Sequence, residues 1–147
     1  MPEPDQSLPI LYRDERYIAV HKPAGLLVHR SPIDDGETQF AVQILRDQIG
    51  QRVYPVHRLD RPTSGLLLFA LDSEALAVAM KRFEEREVSK TYLAVARGWT
   101  PPNGSIDHPL ARYVDGDAKR KSDATQSALT DFRTVATSEL PYPTDRY

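Results

Sequence analysis

With 147 residues, 40% of them apolar, and a formal net charge of −2, the chain fits one domain with a buried core and lacks the composition of a disordered segment. It contains no cysteine, which excludes thiol nucleophiles, disulfide frameworks and cysteine-ligated zinc and accords with a reducing cytoplasm. The start Met1-Pro2-Glu3-Pro4-Asp5 is acidic and proline-rich, the opposite of a secretory leader, and no long apolar stretch follows. A soluble, cytoplasmic protein with no membrane partner is expected.

Residues 1–9 read as a flexible tail. Ile10-Leu11-Tyr12 and Tyr17-Ile18-Ala19-Val20-His21 read as two short strands joined by the charged turn Arg13-Asp14-Glu15-Arg16. Lys22-Pro23-Ala24-Gly25 breaks the second strand, because proline removes an amide donor and glycine permits a turn. Leu26-Leu27-Val28 is a third short apolar run. From Thr38 to Ile49, Phe40, Ala41, Ile44, Leu45 and Ile49 follow helical spacing, and Gly50 is a natural stop. Leu66-Leu67-Leu68-Phe69-Ala70 reads as a buried strand.

A second helix is predicted from Ser73 to Arg86, with Leu76, Ala77, Met80 and Phe83 facing inward and Asp72 or Ser73 as N-cap. Thr91 to Ala96 reads as a strand ending at Gly98-Trp99, and Pro101-Pro102-Asn103-Gly104 as a loop. Residues 115–128 are polar and read as mobile, and Leu129 to Val135 reads as one more strand. Strands and helices mix without a strict βαβ rhythm. The expected class is α+β, with a mixed, largely antiparallel sheet and flanking helices.

Global charge carries no signal for nucleic acid, but its distribution is uneven. Arg46, Arg52, Arg58 and Arg61 fall around the centre of the chain, and Lys119, Arg120 and Lys121 form a second basic cluster. The most informative stretch is His57-Arg58-Leu59-Asp60-Arg61-Pro62-Thr63-Ser64-Gly65. It places one carboxylate between two guanidinium groups on a segment stiffened by proline and followed at once by the apolar run. Asp60 reads equally as a nucleophile or base held beside cations, or as an aspartate salt-bridged to Arg58 or Arg61 in a turn. Either arginine can bind phosphate or be solvated, and His57 can act as acid or base or as a hydrogen-bonded packing residue. Tyr92, on its predicted strand, reads as a core or interface residue or as a stacking platform for a base. No G-x-S-x-G frame, P-loop, dinucleotide fingerprint or metal-ligand spacing of His21, His29 and His108 is present, so neither a cofactor nor a metal is expected.

Three ordered motifs carry a resemblance more specific than any one of them. His57–Gly65 resembles the H-R-L-D-x-x-T-S-G signature of RluA-type pseudouridine synthases. Lys22-Pro23-Ala24-Gly25 resembles the family's upstream K-P-x-G turn, and Lys90-Thr91-Tyr92 its downstream K-x-Y. The likeness runs from about Ile10 to the C-terminus and is strongest toward the tRNA pseudouridine(65) synthase branch, through Leu27-Val28-His29-Arg30-Ser31, Arg46-Asp47-Gln48-Ile49-Gly50-Gln51 and Tyr142-Pro143-Thr144-Asp145-Arg146-Tyr147. It implies isomerisation of a uridine already in RNA by a cofactor-free, monomeric enzyme, with tRNA as partner and ribosomal RNA as the alternative. Asp60 would be the catalytic carboxylate, and Tyr92 would pack against the flipped uracil and assist proton transfer at C5. Arg58 would fill the vacated space, with Arg61, His57 and Lys22 completing the RNA-binding and base-flipping set.

The family continues into a basic motif, G-R-x-H-Q-[IL]-R, that does not occur here. Residues 10–147 are therefore expected to be the N-terminal portion of the catalytic domain, without an S4-type module, and a non-catalytic RNA-binding fragment is the alternative. A carbohydrate-active enzyme would need a second carboxylate opposing Asp60, and none stands out.

Overall fold

Two apolar strands running antiparallel form the centre of the first of two units into which the chain divides. The computed structural model describes residues 7–30, 38–113 and 121–141, and the units are residues 1–91 and 92–147, where length alone fits one domain. In the first, β1 (Ile10–Arg13) and β2 (Tyr17–Lys22) form a hairpin. Asp14 makes its turn, because its Oδ1 accepts the amides of Arg16 at 2.8 Å and Tyr17 at 2.6 Å. Helix α1 (Ala41–Ile49) follows, then the two-residue strand β3 (Tyr54–Pro55), strand β4 (Gly65–Ala70) and helix α2 (Ser73–Glu84). The four strands make one antiparallel sheet in the order β1-β2-β4-β3, and β2 pairs with β4 from Tyr17 opposite Ala70 to Lys22 opposite Gly65.

Side chains alternate across a strand, so Ile18, Val20 and Lys22 share one face with Leu67 and Phe69. Ala41 and Leu45 of α1 cover that face and complete one apolar cluster, whereas Ala75 and Ala79 of α2 pack with Ala70 and Val56 on the other. Coverage on both faces explains the apolar run from Leu67 to Ala70, whereas Leu66, expected to be buried with them, is exposed where no helix covers it.

The helix ends differ from the sequence reading for identifiable reasons. α1 starts at Ala41, not Thr38, because the carbonyls of Leu27 and Val28 accept the amides of Ala41 at 2.8 Å and Val42 at 3.1 Å, while Phe40 remains extended. The third apolar run is thus a cap for this helix, joined to it by a single Leu27–Phe40 bridge, and not a strand. Gly50 ends α1 at φ 63°, as its position suggests. Asp72 caps α2 by accepting the Ala75 amide at 2.7 Å. The helix stops at Glu84, since Arg86 takes a left-handed φ of 59°. Its buried face is centred on Ala75 and Ala79 with Leu76 and Phe83 beside them; Ala77 and Met80 are exposed, a rotation of the expected stripe. Residues 1–6 of the expected tail lie outside the described residues. Leu8, however, is buried and fixed: Gln48 Oε1 accepts its amide at 2.8 Å and Gln48 Nε2 donates to its carbonyl at 3.0 Å.

The second unit consists of two short antiparallel ladders, β5 (Asn103–Asp107) with β8 (Leu129–Arg133), and β6 (Leu110–Tyr113) with β7 (Lys121–Gln126). Pro109, which has no amide to donate, stands between β5 and β6. The polar stretch expected to be mobile therefore contains a strand, and Lys119 and Arg120 lie outside the described residues. Thr91 to Ala96 forms no strand. Leu93 and Val95 are fully apolar yet exposed, and among the described residues no neighbour supplies a ladder for them. A run rich in β-formers becomes a strand only where an edge is available. No helix among the described residues is long and apolar enough to cross a membrane.

Leu67, fully buried in β4 between β2 and β3, tests the α1 face. Leu67→Ala is expected to cost roughly 2–5 kcal/mol of stability in urea denaturation, because it empties a fully buried position in the apolar cluster shared with α1.

Candidate active site

The strand that delivers Ile18 and Val20 to the core also delivers Lys22 to it, two residues further on the same face. Its side chain is 0% exposed. The ammonium at its tip donates to three backbone carbonyls, those of Pro23 at 3.0 Å, Leu26 at 2.7 Å and Arg61 at 3.3 Å. An ammonium has three protons and no acceptor, so this set satisfies it. Burial pushes its pKa below the ordinary lysine value, and the negative charge of Asp60 works in the opposite direction.

These carbonyls come from two loops that are far apart in sequence. The Lys22-Pro23-Ala24-Gly25 turn and the loop after Val56 are fastened further by a reciprocal pair: Gly25 N donates to the Arg61 carbonyl at 2.7 Å, and Arg61 Nε donates to the Gly25 carbonyl at 3.1 Å. Gly25 holds φ 88°, a conformation that strains residues with a Cβ. A Cβ there would meet nothing within 4 Å, so its requirement is conformational and not steric. On the second loop, Leu59 is buried while Arg58 and Asp60 on either side are exposed, and the Asp60 carbonyl accepts the Thr63 amide at 3.0 Å to close a turn. The carboxylate of Asp60 therefore faces solvent from a backbone tied down on both sides.

Among the described residues that carboxylate makes no ion pair or side-chain hydrogen bond. Neither Arg58 nor Arg61 makes an ion pair with it; Arg61 Nε donates to the Gly25 carbonyl, and the negative charge of Asp60 acts on the buried Lys22. An exposed carboxylate–arginine pair gains little over hydration, so nothing forces it to form. Of the other central arginines, Arg46 pairs with Asp47 and Arg52 lies over the Tyr54 ring at 5.2 Å.

His57 opens the loop. Its Nε2 accepts the Leu68 amide at 3.1 Å, and its ring stacks on Phe83 of α2 with centroids 5.3 Å apart and an interplanar angle of 15°. Burial holds its pKa below the ordinary imidazole value, a bond with the Arg58 backbone opposes that, and the charge of Lys90 adds to it. Phase alone could place Phe83 inward on α2; its meeting with His57 required the sheet's geometry. Tyr92 is exposed, in the second unit, while Asp60, Arg58, Arg61, His57 and Lys22 belong to the first. Among the described residues no three His, Asp or Glu side chains gather in metal-ligating range.

Residues 16–143 match the family model described as RNA pseudouridylate synthase. The chain belongs to that family. It is 52% identical to tRNA pseudouridine synthase C of Haemophilus ducreyi, over 95% of this chain and 58% of that protein. It is 50% identical to the protein of the same name from Vibrio cholerae, over 95% of this chain and 59% of the other. The chain thus spans about 58% of the length of such curated relatives. Among solved structures, human RNA Pseudouridylate Synthase Domain Containing 1 superposes with a TM-score of 0.65 at 28% identity, covering 85% of this chain and 51% of that one. Human RNA Pseudouridylate Synthase Domain Containing 4, at 24% identity and a TM-score of 0.64 over 88% and 54% of the two chains, shares the fold.

In this member of the pseudouridylate synthase family, then, the K-P-A-G turn and the H-R-L-D loop are one mechanical unit joined through Lys22. Lys22→Met keeps much of the stem's packing and removes the ammonium, so the Pro23 and Leu26 carbonyls lose their donor while the Arg61 carbonyl keeps only the Gly25 amide. It is expected to lower stability by roughly 1–3 kcal/mol in thermal or urea unfolding, whereas substitution at exposed Arg58 leaves stability within about 0.5 kcal/mol.

Proposed function

We propose that this chain carries the catalytic carboxylate of an enzyme that converts uridine to pseudouridine in tRNA. The observation that carries the reading is Asp60: an exposed carboxylate on a loop immobilised by a buried ammonium, in a chain about half identical to proteins named tRNA pseudouridine synthase C. Catalytic groups work when held within a fraction of an ångström, and a clamped loop on a packed sheet meets that requirement.

The reaction breaks the C1′–N1 glycosidic bond, rotates the uracil while it remains bound, and joins C1′ to C5. The proton at C5 is lost and N1 ends protonated, so composition does not change. Asp60 acts on the target nucleotide as nucleophile or base. The target base must leave its stack at a cost of a few kcal/mol. Arg58, exposed two residues before Asp60, fills the space it vacates. Tyr92 packs against the extruded uracil and assists the proton transfer at C5, its ring being the planar surface such recognition uses. Arg61 and Lys22 serve the loop from below, through backbone carbonyls, and the reaction belongs in the cytoplasm, where tRNA is modified.

The test uses cells lacking the gene, with pseudouridines mapped by chemical labelling. The complete wild-type gene product is expected to restore one tRNA site. Asp60→Asn is expected to bind the same tRNA within a few-fold and to lose turnover by at least about 10³-fold. Equal restoration by Asp60→Asn would remove the carboxylate from the mechanism.

A further inference from the structure

The hairpin between β3 and β4 contains an irregularity that the pseudouridylation reading does not use. Leu68 lies on β4 with its amide and carbonyl directed toward β3. Its carbonyl accepts the Val56 amide at 3.0 Å, as a strand partner would. Its amide, however, is taken not by a backbone carbonyl but by Nε2 of His57 at 3.1 Å. The backbone leaves the ladder after Val56 to reach Asp60, and the imidazole supplies the rung that the departing chain cannot. The same ring is stacked on Phe83, so one side chain joins the loop's first residue to both β4 and α2.

We propose that His57 is a positioning residue for Asp60: its neutral imidazole replaces a strand carbonyl, so that the loop carrying the carboxylate is anchored at its start by a bond that acid breaks. This rests on the reading of Asp60 given above. An Nε2 that accepts an amide proton belongs to the neutral ring with its proton on Nδ1; the imidazolium is a donor at both nitrogens and would leave the Leu68 amide facing another donor.

The surroundings favour the neutral form. β4 carries no titratable side chain, and β3 contributes only Tyr54, over which Arg52 lies. On α2 and the turn after it, Lys81 pairs with Glu85 and Arg82 with Glu87; burial of the ring and the cation Lys90 oppose protonation and outweigh the bond with the Arg58 backbone, which favours it. A ring held neutral in the fold and free to ionise when unfolded contributes stability that is complete above its ordinary value near pH 6.5 and is lost as pH falls below it, through the lower folded value.

The experiment compares His57→Phe and His57→Gln with wild type in the complete gene product, measuring kcat and KM for pseudouridine formation from pH 5 to 8 and hydrogen exchange at the Leu68 amide. Phenylalanine keeps the stacking and removes the acceptor. Glutamine places an acceptor oxygen the same number of bonds from Cβ as Nε2 and does not titrate. His57→Phe is expected to speed Leu68 exchange about tenfold. It should also lower kcat on the order of 10- to 100-fold, with KM within about threefold. Wild-type kcat is expected to fall in acid, and His57→Gln is expected to recover most of both losses and to abolish that fall.

Unchanged Leu68 exchange in His57→Phe would overturn the proposal, as would a loss carried by KM, which would mark a direct RNA contact. A His57→Gln profile that still falls in acid would do the same. If Asp60→Asn keeps wild-type kcat, the premise fails instead, and the Leu68 amide, read without any turnover, tells the two failures apart.

Discussion

A lysine ammonium sealed among backbone carbonyls is the contact on which the site depends. Removing an ammonium from water is costly, and the cost is offset only when each proton finds an oxygen. Lys22 meets that condition with the carbonyls of Pro23, Leu26 and Arg61. Two of these shape its own turn, and the third belongs to the residue after Asp60. An apolar side chain at position 22 would fill the volume but could not reach across to the other loop. The charge therefore supplies connection more than stability.

The sheet makes that connection rigid. Lys22 ends β2 and Gly65 begins β4 directly opposite, so both loops spring from the same end of a fully paired strand pair. Leu59 plugs the second loop into the α1-side core, and His57 pins its start to β4. Around these anchors Arg58, Asp60, Arg61, Pro62 and Ser64 are exposed, and Thr63 is half-buried. The carboxylate is thus exposed while Lys22 and Leu59, which hold its loop to the scaffold, are buried, the arrangement expected of a reactive loop on a packed scaffold.

Much of the first unit was legible in the order of residues. Continuous apolar character marked β4, a short run of strand-forming residues marked β2, and Asp72 and Gly50 marked helix ends by their own side-chain and backbone chemistry. The motif residues were also legible as a set. Their division of labour was not. Adjacent charges suggested that Arg58 and Arg61 hold Asp60, yet Arg61 serves a carbonyl 36 positions away in sequence, and Lys22 is interior because of strand parity that becomes decisive only once β2 is known to pair with β4. Helix α1 was over-extended because its cap is tertiary, made by Leu27 and Val28. In the second unit, local propensity misplaced strands in both directions: Thr91–Ala96 has the right residues without an edge, whereas polar Lys121–Gln126 has an edge without the usual residues.

The central claim is that one buried cation couples the two loops, and amide exchange reads that coupling residue by residue. In the wild-type protein the amides of Gly25 and Thr63, bonded to the carbonyls of Arg61 and Asp60, should exchange as slowly as neighbouring sheet amides such as Val20. In Lys22→Met both should lose protection by about tenfold or more while Val20 keeps its own. Retained protection at Gly25 and Thr63 in that variant would show that the loops hold together without the ammonium, and would contradict the role assigned to it.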